Sequence, residues 1–267
     1  MGFVLCAIAL VVVASSTYGQ EQYAVIVAGN PHDASNCERF WTVTSGIYDV
    51  LANRYRYGPE NIYFLFYDRS DCHHADDPRV DMIATKQNIR PIFEEELLQV
   101  RSSATLFCFF VGLGNATLSN SLFDTGNAFL QDYLMATMKE GLPACFTEQT
   151  YVFTQPHSGR FAKTLSGART VVITNSLMDE GDNRDLSPFA RLFRDALDHA
   201  VGADANGDSR VSIGEACLYA LQGVAEWSNG ETTEHPQIDN NGDGVSSYGI
   251  PSQTGDGAIA LDRYLRY

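Results

Sequence analysis

Five short runs of β-branched and aromatic residues recur along this chain, and each is apolar on both alternate positions: 23–29 (YAVIVAG), 61–68 (NIYFLFYD), 104–112 (ATLFCFFVG), 150–153 (TYVF) and 170–175 (TVVITN). A run without polar alternation suits a strand covered on both sides. Stretches of helical period lie between the runs, and strands alternating with helices close into a mostly parallel sheet with helices on both faces. The expected fold is therefore α/β, a three-layer sandwich around a sheet of about six strands. With 267 residues, 45% of them apolar, and no shift of composition along the chain, residues 20–267 read as a single domain.

The helical stretches are set by period and by caps. Phe40, Val43, Ile47, Val50 and Leu51 share one face of a helix expected over 37–55. Thr85 caps a second helix running to about residue 100, with Ile89, Ile92, Phe93 and Leu97 inward and Pro91 kinking it or delaying its start. A short helix is expected around 129–138. Ser187 and Pro188 supply a side-chain cap and a first-turn proline for another. Its inward stripe is Phe189, Leu192, Phe193, Ala196, Leu197, Ala200 and Val201, and Gly202 ends it. A last apolar segment, 258–265, is expected to return to the core.

Residues 1–16 carry no charge and contain the apolar run 3–14, followed by Thr17, Tyr18 and Gly19. A run this short reads as a secretory signal over 1–19, cleaved before Gln20 or Glu21, rather than as a membrane span of about 20 residues. The expected destination is extracellular. The balance of 33 acidic against 18 basic residues, a net charge of -15, repels nucleic acid and anionic membranes and favours cations or basic partners. Of six cysteines, Cys6 lies in the leader, which leaves an odd five. Cys37 and Cys72, in polar loops beyond the first and second strands, are the expected disulfide. Cys108, inside a strand, and Cys217, on a helix, are expected as buried free thiols.

Directly after the helix that ends at Gly202 comes 204–215 (DANGDSRVSIGE). It places Asp204, Asn206, Asp208, Ser212 and Glu215 at loop positions one, three, five, nine and twelve, with the Arg210 carbonyl at seven. This is the spacing of an EF-hand calcium loop, which folds six to eight oxygens round a hard cation. Position six is Ser209 where a glycine is usual, a departure expected to weaken binding. The same residues also read as a capping box, Ser212 with Glu215, behind a solvated turn; the two readings do not exclude each other. A second acidic turn, 239–244 (DNNGDG), offers Asp239, Asn241 and Asp243 but has Ile250 at its twelfth position. It binds a cation weakly, completes the first site, or is a plain Asx-Gly turn.

In an open parallel sheet the chemistry sits at the carboxyl ends of the strands. There the third run passes into Gly112-Leu113-Gly114 and the fourth into Gln155-Pro156-His157-Ser158-Gly159. The order of runs, these two loops and the late EF-like loop with its acidic turn resemble the legumain-like cysteine peptidases, within the caspase-type fold. The resemblance spans roughly 23–245. It implies a caspase-like sheet, a His-Gly pair after the third strand and an Ala-Cys-x-Ser-Gly motif after the fourth. At the histidine and cysteine positions this chain has Leu113 and Pro156. Proline carries no nucleophile and leucine moves no proton, so the resemblance implies a member inactive as a peptidase, holding a peptide or protein partner in the retained cleft.

Two other classes of function stay open on sequence. An unorthodox hydrolase would use His157 and Ser158, with His32 and Asp33 from the first strand's end near His157, although adjacent residues on an extended segment point apart. Cys145 lies upstream of the fourth strand, at the wrong end for such a site. An acidic calcium-binding matrix protein would use the two acidic loops alone. His73 and His74 with Asp71, Asp76 and Asp77 lack helical ligand spacing and read as a solvated loop rather than a zinc site. Asn115-Ala116-Thr117 is an acceptor for N-glycosylation at the cleft's rim.

Overall fold

The structure is a computed structural model that describes residues 20–67, 69, 71–180, 188–227, 235–248 and 255–266. The leader 1–19, the cap Ser187 and Ile250 lie outside the described residues. In chain order the first half contains β1 (Glu21–Ala28), α1 (Ala34–Asp49), β2 (Ile62–Phe66), β3 (Met82–Ile83), α2 (Lys86–Pro91) and β4 (Ala104–Val111). Next come β5 (Gly114–Ala116), β6 (Ser121–Asp124), β7 (Phe129–Gln131) and α3 (Asp132–Gly141). The second half contains β8 (Phe146–Phe153), α4 (Gly159–Leu165), β9 (Thr170–Thr174), α5 (Pro188–Leu197), α6 (Ile213–Trp227), β10 (Gln237–Asp239), β11 (Ser247–Tyr248) and α7 (Ala258–Leu261).

The central sheet has eight strands in the order β11-β10-β9-β8-β4-β1-β2-β3. From β3 to β9 every pairing is parallel, and β10 joins antiparallel. About six strands were expected; the additional ones are the two-residue edges β3 and β11, too short to show any periodicity. β5, β6 and β7 form a separate antiparallel sheet. Part of this falls where a helix over 129–138 was expected, because Phe129 and Leu130 pair with Asp124 and Phe123 before α3 begins at Asp132.

The layers follow from alternation along each strand. Ala24, Ile26 and Ala28 face one way and meet α1, α5 and α6 through Phe40, Ile47, Phe193 and Ile213. Val25 and Val27 face the other way, toward α2, α3 and α4 with Ile89, Met135 and Phe161. Phe153 is stacked between Phe110, at 4.6 Å, and Phe161, at 4.0 Å between ring centroids. Each such ring stabilises the fold by about 1.5–3 kcal/mol through burial.

Helix ends follow local chemistry. Asp33 caps α1, its carboxylate accepting from the Asn36 N–H at 2.8 Å, so the helix starts three residues before the apolar stripe suggests. Thr85 caps α2 as expected. Pro91 ends the regular turn, and the chain continues as a wider helical turn over Ile92–Glu96. The segment 258–265 does return to the core: Ala260 and Leu265 are buried, and Ser212 bridges to Tyr264.

Cys37, in the first turn of α1, is disulfide-bonded to Cys72 with Cα atoms 6.1 Å apart, tying the loop after β2 to the helix after β1. Cys108 and Cys217 are buried free thiols, and burial pushes the Cys217 thiol up to about 12. The disulfide closes a segment of 35 residues. Replacing both Cys37 and Cys72 by serine is expected to lower the unfolding free energy in urea by about 3–4 kcal/mol. A loss within experimental error would show that the bridge does not constrain the unfolded chain.

Candidate functional site

β1 and β4 run side by side for eight consecutive pairs and end together at Gly29 and Gly112. A side chain at either glycine would collide with the Phe123 ring of β6. The small sheet therefore sits down on the carboxyl edge, where the Asn30 N–H donates to the Asp124 carbonyl and the Asp124 N–H to the Leu113 carbonyl, both at 3.0 Å, while the Gly29 N–H continues the β1–β4 ladder to the Val111 carbonyl at 2.8 Å. Leu113 is half-buried against the α1 side of the core. Pro156 lies against the next residue, Gly114, where a methyl group would overlap the Pro156 carbonyl oxygen.

The ends of β8 and β9 finish in buried polar residues. Thr154, Gln155, Ser158, Asn175 and Ser176 are all at most 4% exposed. The Ser158 hydroxyl accepts from the Asn175 N–H at 3.2 Å and bonds the Ser176 hydroxyl at 3.3 Å, so it is spent inside the collar. His157 turns elsewhere. Its backbone is left-handed, with φ 59°, its N–H donates to the Glu180 carbonyl at 2.9 Å, and its ring Nδ1 lies 2.8 Å from the Met178 carbonyl. Because a carbonyl only accepts, Nδ1 is the donor in this bond. His157 and Ser158 are thus brought to the same loop but bonded to different partners.

His32, also left-handed at φ 61°, has its Nε2 2.7 Å from the Asp124 carboxylate. Asp33 is occupied as the cap of α1. Asp124 is a residue that sequence reasoning missed, since nothing in a strand of four residues marks its carboxylate as the partner of a histidine 92 positions away. Gln155 was missed as well; it is fully buried, and neither of its amide atoms has a partner. Glu180 ties this edge to His235, through an ion pair, and accepts from the Leu177 N–H at 2.7 Å. Asn115 is exposed on β5, so the glycosylation acceptor stands at the rim of this edge.

At the amino edge lies the loop 204–215 between α5 and α6. The Asp204 carboxylate accepts from the N–H groups of Gly207, Asp208 and Ser209 at 2.7–3.2 Å. Ser209 takes φ 66°, the left-handed turn that the sixth position of such a loop needs, at the strain a side chain carries there. Glu215, 2% exposed, folds back from the first turn of α6 and accepts from the N–H groups of Ala205, Asn206 and Ser212 and from the Ser212 hydroxyl at 2.8–3.2 Å. The Ser212 hydroxyl in turn accepts from the Glu215 N–H, so the capping box is present. Tyr264 donates its hydroxyl to Asp208 at 2.9 Å, which holds that carboxyl below its usual range, and Arg210 lies over the Tyr264 ring.

The donor set of this loop is oxygen throughout and its backbone follows a turn of that kind, with the carboxylates of Asp204 and Glu215 directed onto backbone N–H groups. In the second turn, Asn241 and Asp243 are exposed and turn their side-chain oxygens onto the N–H groups of Asp243 and Val245, whereas Asp239 is buried. In the histidine-rich loop, His74 stacks on Trp41 at 4.5 Å and pairs with Glu38, and Asp71 and Asp77 are paired with Arg69 and Arg79. Those arginines hold both aspartates below the usual carboxylate range. Among the described residues, no group of three or more His, Cys, Asp or Glu side chains is gathered to hold a metal. No described helix is long and apolar enough to cross a membrane.

No family model matches this chain, and no curated protein matches it. Solved structures do match. The crystal structure of protein GSU0716 from Geobacter sulfurreducens is similar with a TM-score of 0.52, covering 92% of this chain and 98% of that one at 9% sequence identity. At that identity the likeness concerns the architecture alone.

The close approach at Gly114 gives a direct check on the edge. Gly114→Ala is expected to cost about 1–3 kcal/mol in urea unfolding, because the added methyl meets the Pro156 carbonyl and the Gln155 side chain. An unchanged midpoint would mean that β5 does not press on the β8 loop.

Proposed function

We propose that this chain is a secreted, calcium-binding relative of the legumain-like peptidases that does not cut peptides and instead holds a peptide or protein segment at the carboxyl edge of its sheet. One observation carries the reading: the loops after the adjacent strands β4 and β8, where such a fold would place its histidine and cysteine, hold Leu113 and Pro156, and Gly114 lies against the Pro156 carbonyl. Proline also lacks an N–H, so this position offers no backbone donor to a developing oxyanion. The neighbouring polar side chains do not replace the missing pair, since the Ser158 hydroxyl is buried in hydrogen bonds to Asn175 and Ser176. What the edge retains is shape and hydrogen-bonding backbone, which suits binding.

Calcium belongs to the same reading as the ligand of Asp204, Asn206, Asp208, Ser212, Glu215 and the Arg210 carbonyl. A cation there would offset the negative charge gathered on the loop and lock α5 against α6. A net charge of -15 favours partners that are basic. The leader 1–19, on which secretion rests, is outside the described residues.

The test restores what is missing. A double variant, Leu113→His with Pro156→Cys, is expected to alkylate with iodoacetamide at neutral pH at least tenfold faster than the Pro156→Cys single variant, as a histidine-activated thiolate should. Equal rates would show that these positions do not face each other as a dyad. The unmodified protein is expected to leave a panel of fluorogenic peptides intact; turnover abolished by His157→Ala would establish a hydrolase instead. Separately, millimolar calcium is expected to raise the melting temperature of the mature chain, and Asp204→Ala to remove that rise. No rise in the unmodified protein would end the calcium assignment.

A further inference from the structure

The small sheet β5–β7 has two unlike faces. Gly114 pairs with Phe123 and Phe123 with Leu130, and in this cross-strand row Phe123 and Leu130 are fully buried. The alternate row, Asn115 with Leu122 and Leu122 with Gln131, points the other way. There Asn115 is exposed, Leu122 and Gln131 are half-buried, and Phe129, on the same face as Gln131, is 37% exposed. Phe129 stands diagonally across from Leu122, a spacing that aromatic side chains reach over. Leu118, at the tip of the β5–β6 hairpin, is fully exposed. An outward face that carries Leu122 and Phe129 beside a strand edge is an association hazard unless something covers it.

That edge is β5. The Asp124 N–H donates to the Leu113 carbonyl at 3.0 Å and the Thr117 N–H to the Asn120 carbonyl at 2.9 Å. By the two-residue alternation of an antiparallel ladder, Asn115 bonds Leu122, and the N–H groups of Gly114 and Ala116 point away from β6. The Ala116 N–H is met by the Asn115 side chain itself, whose Oδ1 accepts it at 2.8 Å. This contact orients the amide: the oxygen is turned onto the backbone, and Nδ2, the atom to which a sugar is joined, has no hydrogen-bond partner among the described residues. Thr117, the third residue of the Asn-x-Thr acceptor, is exposed, and its hydroxyl accepts from the N–H groups of Asn120 and Ser119 at 3.1 and 3.3 Å.

We propose that Asn115 carries an N-linked oligosaccharide whose first sugars lie over Leu122 and Phe129 on the outward face of the small sheet and close the free edge of β5. An N-acetylated hexose suits this face, since its ring has an apolar side and its acetyl group ends in a methyl. Attachment joins Asn115 Nδ2 to the anomeric carbon of an oligosaccharide delivered on a lipid diphosphate; the lipid diphosphate leaves, and one amide proton passes to a base of the transferase. The inference rests on the secretory reading of residues 1–19, because this transfer belongs to the secretory route. It also narrows the binding reading. A partner segment does not extend the small sheet at β5 and lies instead on the side of the loops after β4 and β8.

The full chain is produced in cultured insect cells twice, once with its own leader and once with a foreign leader in place of residues 1–19. Intact mass spectrometry of the secreted protein, before and after peptide-N-glycosidase treatment, reads the modification. One glycan is expected, absent from Asn115→Gln and kept by Thr117→Ser, which retains the hydroxyl. A glycan present on the foreign-leader product alone would sustain the acceptor and remove the secretory reading. Secreted protein bare at Asn115 would overturn the proposal and leave that reading standing. Coverage is read with the neutral dye Nile red: enzymatic removal of the glycan is expected to raise its fluorescence about twofold, and the double variant Leu122→Ser with Phe129→Ser to abolish the rise. Should the double variant fail to fold, Phe129→Ser alone takes its place. Dye fluorescence indifferent to the glycan would overturn the covering of this face.

Discussion

A parallel sheet whose two faces are both buried has only its edges left for contact with solvent and ligands, and this constraint arranges the rest of the molecule. β1, β4, β8 and β9 carry apolar side chains on alternate faces without interruption, so helices must cover both. The loops that carry polar groups are thereby sorted to two edges. At the carboxyl edge the paired ends of β1 and β4 leave two glycines under the Phe123 ring, and this contact seats the small sheet above the loops after β4 and β8. The Phe123 ring takes the space that the two absent side chains leave.

The polar collar at the ends of β8 and β9 is held by its own hydrogen bonds. Buried hydroxyls and amides at strand ends are costly unless bonded, and here Thr154, Ser158, Asn175 and Ser176 bond one another and the strand-end carbonyls. Ser158 therefore has a structural use that does not depend on any reaction. The left-handed backbone of His157 belongs to the same frame, since its N–H and ring reach back to the loop after β9. Strain of this kind persists only when the surroundings hold it in place. Four bonded polar residues and the loop of Glu180 supply that hold.

The sheet and its layers were legible because burial on both faces writes itself into each strand as an unbroken apolar run. The Cys37–Cys72 bridge was legible for a related reason, as parallel β1–β2 pairing brings together the segments that follow the two strands, although Cys37 stands in the first turn of α1 and not in the polar loop that the sequence suggests. β3, β7 and β11 were not legible; strands of two or three residues exist by tertiary pairing and carry no period of their own. Long-range partners were also hidden. Asp124 finds His32, and Tyr264 finds Asp208, across separations that only the finished fold bridges. Within the acidic turn the spacing drew attention to Asn241 and Asp243, whereas burial singles out Asp239 and Asn240, and spacing alone carries no information about burial.

The two acidic loops sit at the opposite edge from the loops after β4 and β8, and one segment ties them together. Asp256 bonds the backbone of Asn240, and eight residues later Tyr264 bonds Asp208 and bridges to Ser212. Between them Arg263 is buried and donates to the carbonyls of Gln149 and Arg169, next to the amino ends of β8 and β9. A cation held at the loop 204–215 would thus brace the segment that clamps the amino edge of the sheet. For it to change affinity at the carboxyl edge as well, it would have to favour one arrangement of β8 over another along the full strand, and a strand buried on both faces offers no second arrangement. A cation held there would therefore stabilise the fold and leave the carboxyl edge as it is.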